Sequence, residues 1–188
     1  AHEDWGPMIP VSTYGASKLA GEALISAYCH MFEMQACIFR FGNVVGPRQT
    51  HGVGFDFAKR LLVDPTYLLI LGDGTQSKSY IHVEDIVSAV MMAHGICNQK
   101  NSTSLHYFNV ATGDYITVNE IAAIIMECLA LNKSSVKTEY TGGDRGWKGD
   151  VPIVRLNTDR IRKLGWQNHR NCAQAIRDSV TSMIKDIQ

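Results

Sequence analysis

Ala36-Cys37-Ile38-Phe39-Arg40-Phe41 decides the fold. It is a nearly unbroken apolar run of strand length, and it stops at Gly42-Asn43-Val44-Val45-Gly46-Pro47-Arg48. Alternation of apolar and polar residues suits a strand with one wet face. A continuous run suits a strand covered on both faces, as in parallel sheets flanked by helices. The segment 42–48 then reads as a loop at the carboxyl end of that strand, where open α/β sheets bind their ligands.

Upstream of the run, Ser12 can cap a helix. Ala20, Leu24, Ala27, Tyr28 and Met31 recur at helical spacing, which predicts a helix over 13–32. Gly15 and Gly21 lie inside it, each costing about 1 kcal/mol relative to Ala. A gap for a ligand near Gly15, or close helix packing at Gly21, accounts for them. Residues 1–10 are polar, turn-rich and aperiodic.

Downstream, helical spacing over 55–63 stops at Pro65, and 67–71 is a strand candidate closed by Gly72-Asp73-Gly74. Residues 79–83 alternate briefly, with His82 read as a packed or hydrogen-bonded core residue. A helix follows through Val87, Val90, Met91 and His94, then a polar loop over 98–104 and a strand over 105–110. Thr117-Val118-Asn119-Glu120 fits a capping box opening a helix to about residue 131. A short strand is predicted over 136–140. Asn157 caps a short helix ending at Leu164-Gly165. Asn171 starts a last amphipathic helix built on Ala175, Ile176, Val180, Met183 and Ile184.

The 188 residues are 45% hydrophobic and 19% charged, the make-up of a globular protein about the size of one large domain. Eighteen basic and eighteen acidic residues give a net charge of +0, so no overall field favours nucleic acid or an anionic membrane. No apolar run reaches the ~18 residues of a membrane span. The five cysteines are widely spaced, without CxxC or HExxH, so neither a disulfide framework nor a metal site is indicated. Reduced thiols in a cytoplasmic protein are the expectation.

Tyr14-Gly-Ala-Ser-Lys18 carries the first chemistry. Four residues is just over one helical turn, which puts phenol and ammonium side by side. A phenol is a poor base at neutral pH, and a nearby fixed cation favours its ionised form. The pair suits proton transfer in an alcohol–ketone interconversion. A packed Tyr beside a solvated Lys explains the same spacing, so the motif needs support from the rest of the chain. Gly143-Asp-Arg-Gly146-Trp-Lys-Gly149 has the spacing of a dinucleotide-binding turn. No strand-to-helix pattern surrounds it, and a substrate-side loop is the better assignment.

In order, Tyr14-x-x-x-Lys18, Arg40-x-x-Asn43-x-x-Gly46-Pro47-Arg48, Gly72-Asp-Gly-Thr-Gln-x-Lys78-x-Tyr80-Ile-His-Val83-x-x-Asp85, Arg145-Gly-Trp-Lys-Gly-Asp150 and Leu164-Gly-Trp166 span nearly the whole chain. Together they resemble the extended short-chain dehydrogenase/reductase family, and within it the NAD-dependent nucleotide-sugar epimerases and dehydratases of the UDP-glucose 4-epimerase type. The resemblance implies an α/β fold: the C-terminal part of a Rossmann-like doubly wound parallel sheet plus a small α/β substrate-binding domain. Residues 1–50 would be the remnant of the NAD-binding domain, and 51–188 mainly the substrate-binding region, with some segments returning to the Rossmann sheet.

The resemblance also implies roles. Tyr14 and Lys18 would be catalytic and would contact NAD, with Phe41 and Gly42 lining the nicotinamide. Simple strand core accounts equally well for Phe41, and Gly42 can serve the turn alone. Asn43, Val53 at a helix N-terminus, Lys78, Arg145 and Asp150 would bind a UDP-sugar or another nucleotide sugar. Lys78 stands where many relatives have Arg, keeping the charge but losing the bidentate fork. Arg145 and Asp150 are spaced more widely than in the common family version. The implied reaction is C4 epimerisation through a 4-keto sugar. Sugar-nucleotide 4,6-dehydratase, UDP-glucuronate decarboxylase, or a non-catalytic binding fragment are the alternatives. A homodimer packed through the Tyr14 helix is the implied assembly when full length.

The glycine-rich pyrophosphate turn, its acidic ribose partner and the Ser/Thr that precedes the family's Tyr are not found in these residues. The sequence therefore reads as the C-terminal portion of a longer protein, lacking roughly a hundred residues or more. Such a portion is expected to expose apolar surface and to be marginally stable alone.

Overall fold

A computed structural model describes residues 1–97, 104–143, 151 and 153–187. The chain opens with a loop and then helix α1 (Thr13–Phe32), capped by Ser12, whose side chain accepts from Gly15 N–H at 3.0 Å. Strand β1 (Ala36–Phe41) runs parallel to β6 (Leu105–Val110), Ala36 opposite Leu105 and Phe41 opposite Val110. β2 (Asn43–Val45) runs parallel to β5 (Tyr80–His82), and β3 (Tyr67–Ile70) parallel to β8 (Lys137–Tyr140). A short antiparallel pair joins β4 (Ser77–Lys78) to β7 (Ile116–Thr117). Helices α2 (Val53–Val63), α3 (Val83–Cys97) and α4 (Val118–Cys128) lie between strands, and α5 (Asp159–Lys163) and α6 (Cys172–Ile187) follow β8. Parallel strands alternating with helices make this an α/β fold.

Apolar packing divides into two clusters. In one, Phe57 and Leu61 of α2, Ile121 and Ile125 of α4, and Ile176, Val180 and Met183 of α6 close over Leu68 and Ile70 of β3. In the other, Ile86, Ala89 and Ala93 of α3 meet Ile81, Phe108, Val110, Ile161 and Trp166, with Cys37 and Phe39 of β1 packed against them. The predicted capping box is present: Glu120 N–H donates to Thr117 Oγ1 at 3.2 Å, and Thr117 N–H to Glu120 Oε2 at 2.7 Å. The helix it opens stops at Cys128, three residues short of the expected end. Asn171 and Gln174 cap α6 in the same reciprocal way, at 2.9 and 3.0 Å.

Three expectations are corrected. Residues 43–45 form a strand, because the chain stays extended beyond Gly42 and takes a new neighbour: Gly42 N–H donates to Val110 O, and Asn43 N–H to Ser79 O, both at 2.9 Å. β1 is not covered on both faces; only Ile38 is fully buried in it. The helix on that side, α1, buries only Cys29 completely, and leaves Leu24, Tyr28, Met31 and Phe32 exposed. Finally, the cysteines are not all free: Cys37 and Cys97 form a disulfide, their Cα atoms 7.0 Å apart. The pairing follows from α3 lying against β1, which brings together residues 60 apart in sequence. Residues 144–149 of the turn-like repeat and 98–103 of the predicted loop lie outside the described residues. No helix among the described residues is long and apolar enough to cross a membrane.

Candidate functional site

A cleft of 1390 Å³ opens between α1, the carboxyl ends of β1 and β2, the start of α2, and β4. Drug-sized ligands occupy pockets of about 300–1,000 Å³, so there is room here for more than one small group. α1 supplies Tyr14, Ser17, Lys18 and Glu22 to one wall. Tyr14 is 70% exposed. The Lys18 Nζ lies 5.5 Å from the centre of its ring, so the two side chains share one helix face.

Phe41 closes β1 at the rim of the cleft, half-open to solvent and stacked on Phe39 at 5.8 Å. Gly42 marks the change of strand partner, and a side chain there would crowd its neighbours. A Cβ would lie 3.2 Å from Ser79 O and 3.5 Å from the Ala111 Cβ. Backbone crowding therefore suffices to explain this glycine. Asn43, the first residue of β2, faces the cleft. Val53 opens α2, whose N-cap Gly52 (φ 97°) offers no side-chain acceptor to the first-turn N–H groups. Such a terminus presents donors and a partial positive charge. Lys78 of β4 and Tyr80 of β5 also line the cleft. Arg145 and Asp150 lie outside the described residues. The structure thus gathers Tyr14, Lys18, Phe41, Gly42, Asn43, Val53 and Lys78 around one opening.

Sequence reasoning assigned no role to several residues that shape this cleft. Arg40 reaches across to α1, its Nε and Nη2 donating to Glu22 Oε1 and Oε2 at 2.9 and 2.7 Å. This hydrogen bonding raises the Arg40 pKa above its ordinary value, against the opposing effect of burial. Glu22 stands one turn beyond Lys18, a local signal that could have flagged it. Gln49 and His51 line the cleft ahead of α2, and Arg60, also in its wall, donates to Leu69 O at 3.2 Å.

The chemistry at this end of the opening is compatible with the nicotinamide end of NAD. The opening is lined by an exposed aromatic ring and by backbone that no side chain obstructs, beside a hydroxyl and an ammonium.

Residues 2–111 match the model of the NAD dependent epimerase/dehydratase family. The UDP-glucose 4-epimerase of Mycolicibacterium smegmatis is 30% identical over 179 residues, covering 93% of this chain and 53% of that protein. A crystal structure of a UDP-galactose 4-epimerase superposes with a TM-score of 0.87 at 31% identity, covering 100% of this chain and 58% of the other. The Thermus thermophilus UDP-glucose 4-epimerase, solved in complex with NAD, gives 0.80 at 26% identity, over 98% of this chain and 57% of the other. The chain spans about half the length of the curated relatives it matches. The parallel α/β architecture is that of these Rossmann-type enzymes, and NAD is the cofactor of the group. The chain belongs to the NAD dependent epimerase/dehydratase family.

Proposed function

We propose that this chain is the sugar-nucleotide-binding part of an NAD-dependent enzyme that epimerises a UDP-sugar at C4 through a 4-keto sugar. One observation carries the reading: Tyr14 and Lys18, one turn apart on α1, open onto the same cleft as Asn43 and the N-terminus of α2. Tyr14 takes the proton of the sugar 4-hydroxyl and later returns one. Lys18 holds the nicotinamide ribose and keeps a positive charge beside the phenol. NAD, when bound, supplies the hydride acceptor and donor. Asn43, the first turn of α2 and Lys78 hold the diphosphate, the helix end through its N–H groups. Arg145 and Asp150 close over the nucleotide on family resemblance alone.

Residues 1–50 belong to the cofactor side in this reading, with the segments that share the core of β1. The remainder holds the sugar nucleotide. The exposed face of α1 suits a homodimer contact, since Leu24, Tyr28, Met31 and Phe32 form an apolar surface without cover. Light scattering that finds only monomer at micromolar concentration would remove that part. A cytoplasmic setting would hold Cys37 and Cys97 as thiols. A second reading, binding without turnover by this chain alone, is favoured by the exposure of Tyr14. Desolvation normally strengthens such chemistry.

The test is Tyr14→Phe in the intact protein. We expect UDP-glucose/UDP-galactose interconversion to fall by a factor of about 100 or more, while UDP-sugar affinity stays within about twofold. A near-normal rate would take Tyr14 out of the mechanism.

A further inference from the structure

We infer that Ser179, on the C-terminal helix and outside the cleft lining, is a positioning residue for the loop that leads from Asn43 to the start of α2. The inference rests on the nucleotide-sugar reading of the cleft for what that loop is positioned to bind.

The loop, residues 46–52, connects β2 to α2 and is held from two sides. On one side Gly46 sits against Val83 so closely that a Cβ would fall 2.6 Å from Val83 Cγ1. On the other, Ser179 reaches it from α6 while only 1% exposed itself. Gly46 N–H donates to Ser179 Oγ at 3.1 Å. The Ser179 hydroxyl has one proton and two acceptors for it, Gly46 O at 3.1 Å and Gln49 Oε1 at 3.2 Å. Gln49 passes the hold onward, its Nε2 donating to His51 O at 2.8 Å. Gly52 then packs beside the same amide, where a Cβ would lie 3.0 Å from Nε2. Gln49, His51, Gly52 and Val53 all line the cleft. A hydroxyl 133 residues away in sequence thus ties both loop backbone and loop side chain.

Without the hydroxyl, the buried Gly46 N–H loses its acceptor, and whichever of Gly46 O and Gln49 Oε1 takes the hydroxyl proton loses its donor. The expected damage is local. α2 would keep its packing on α4 and α6, but the segment that aims its N-terminus would fluctuate.

The experiment compares wild type with Ser179→Ala, Ser179→Thr and Gln49→Ala by amide hydrogen exchange and by calorimetric titration with UDP. In Ser179→Ala, exchange of residues 46–52 should rise about five- to tenfold, the value of one buried hydrogen bond, with α4 and the rest of α6 unchanged. UDP affinity should weaken by a similar factor. Ser179→Thr, which keeps the hydroxyl, should restore most of the loop protection. Gln49→Ala alters a partly exposed site and so tests the hold even if Ser179→Ala folds poorly; residues 49–52 should loosen about threefold. Unchanged loop exchange in both Ala variants overturns the inference. So does a uniform rise across all core segments, or a loosened loop with unaltered UDP affinity. Wild-type protein that ignores UDP overturns the nucleotide-sugar reading itself, whereas equal UDP binding by wild type and Ser179→Ala overturns the role of Ser179 alone.

Discussion

Replacing Arg40 by Met should loosen α1 from the sheet. Arg40 holds Glu22 through two hydrogen bonds of 2.9 and 2.7 Å, donates from Nη1 to Glu3 O at 3.0 Å, and lies 5.6 Å from the ring centre of Tyr107. Its partners belong to α1, the opening loop and β6, so one guanidinium ties three segments. α1 has few other fixings, since Cys29 is its only fully buried residue. The Arg40 and Glu22 side chains are 21% and 19% exposed. Breaking a buried pair costs about 3–5 kcal/mol, and breaking an exposed one about 0–1 kcal/mol. At this intermediate exposure we take about 2 kcal/mol, which for a chain of this size lowers Tm by about 4–8 °C. Removing the carboxylate as well, in Arg40→Met/Glu22→Met, should recover about half, because no unpaired charge is then left between helix and sheet. Urea titration of wild type, both single variants and the double variant gives the coupling energy directly. We expect about 1–2 kcal/mol. Coupling within about 0.3 kcal/mol of zero would show that the pair does not anchor α1, and that Tyr14 and Lys18 are placed by something else.

Two further perturbations probe the surrounding frame. Gly46→Ala introduces a methyl 2.6 Å from Val83 Cγ1, so it should destabilise by about 1–3 kcal/mol in chemical denaturation; a neutral result would mean that Val83 yields easily. Glu127 accepts from Arg177 at 2.7 Å and Lys133 at 2.9 Å, and these bonds, Arg177 first, hold its carboxyl at about 2, below the ordinary 4.5. A depressed folded value means that the stabilisation is complete above pH 4.5 and fades as pH falls towards 2. Thermal unfolding of wild type and Glu127→Gln should therefore differ at pH 6 and converge near pH 2; a gap that persists at the acid end would contradict the linkage.

What could be read from the sequence was local. Ser12 before α1, the Thr117/Glu120 box before α4 and the apolar run of β1 all announce themselves within a few residues, and each forms where its pattern places it. That Tyr14 and Lys18 share one helix face was legible for the same reason. Features made by distant segments were not. The continuation of β1 into β2 depends on Ser79, and the Cys37–Cys97 bond on the seating of α3. The apolar composition of β1 could not show that α1 leaves one side of it partly open. In the site, Arg40 was visible as a residue but its tie to Glu22 was not, and Ser179 carries no signal at all. A single serine among the polar positions of an amphipathic helix acquires meaning only when Gly46 arrives beside it.

The change of neighbour at Gly42 has a consequence for how this region can vary. One uninterrupted peptide belongs to two ladders, keyed to Val110 on one side of the glycine and to Ser79 on the other. Side chains in an extended chain point alternately up and down, so inserting or deleting one residue there would invert every position after it relative to those before. Asn43 would then turn its back on Phe41's side of the opening. Drift in length must be absorbed elsewhere, in the turns before Ala36 or after Val45, while the junction itself stays fixed in count.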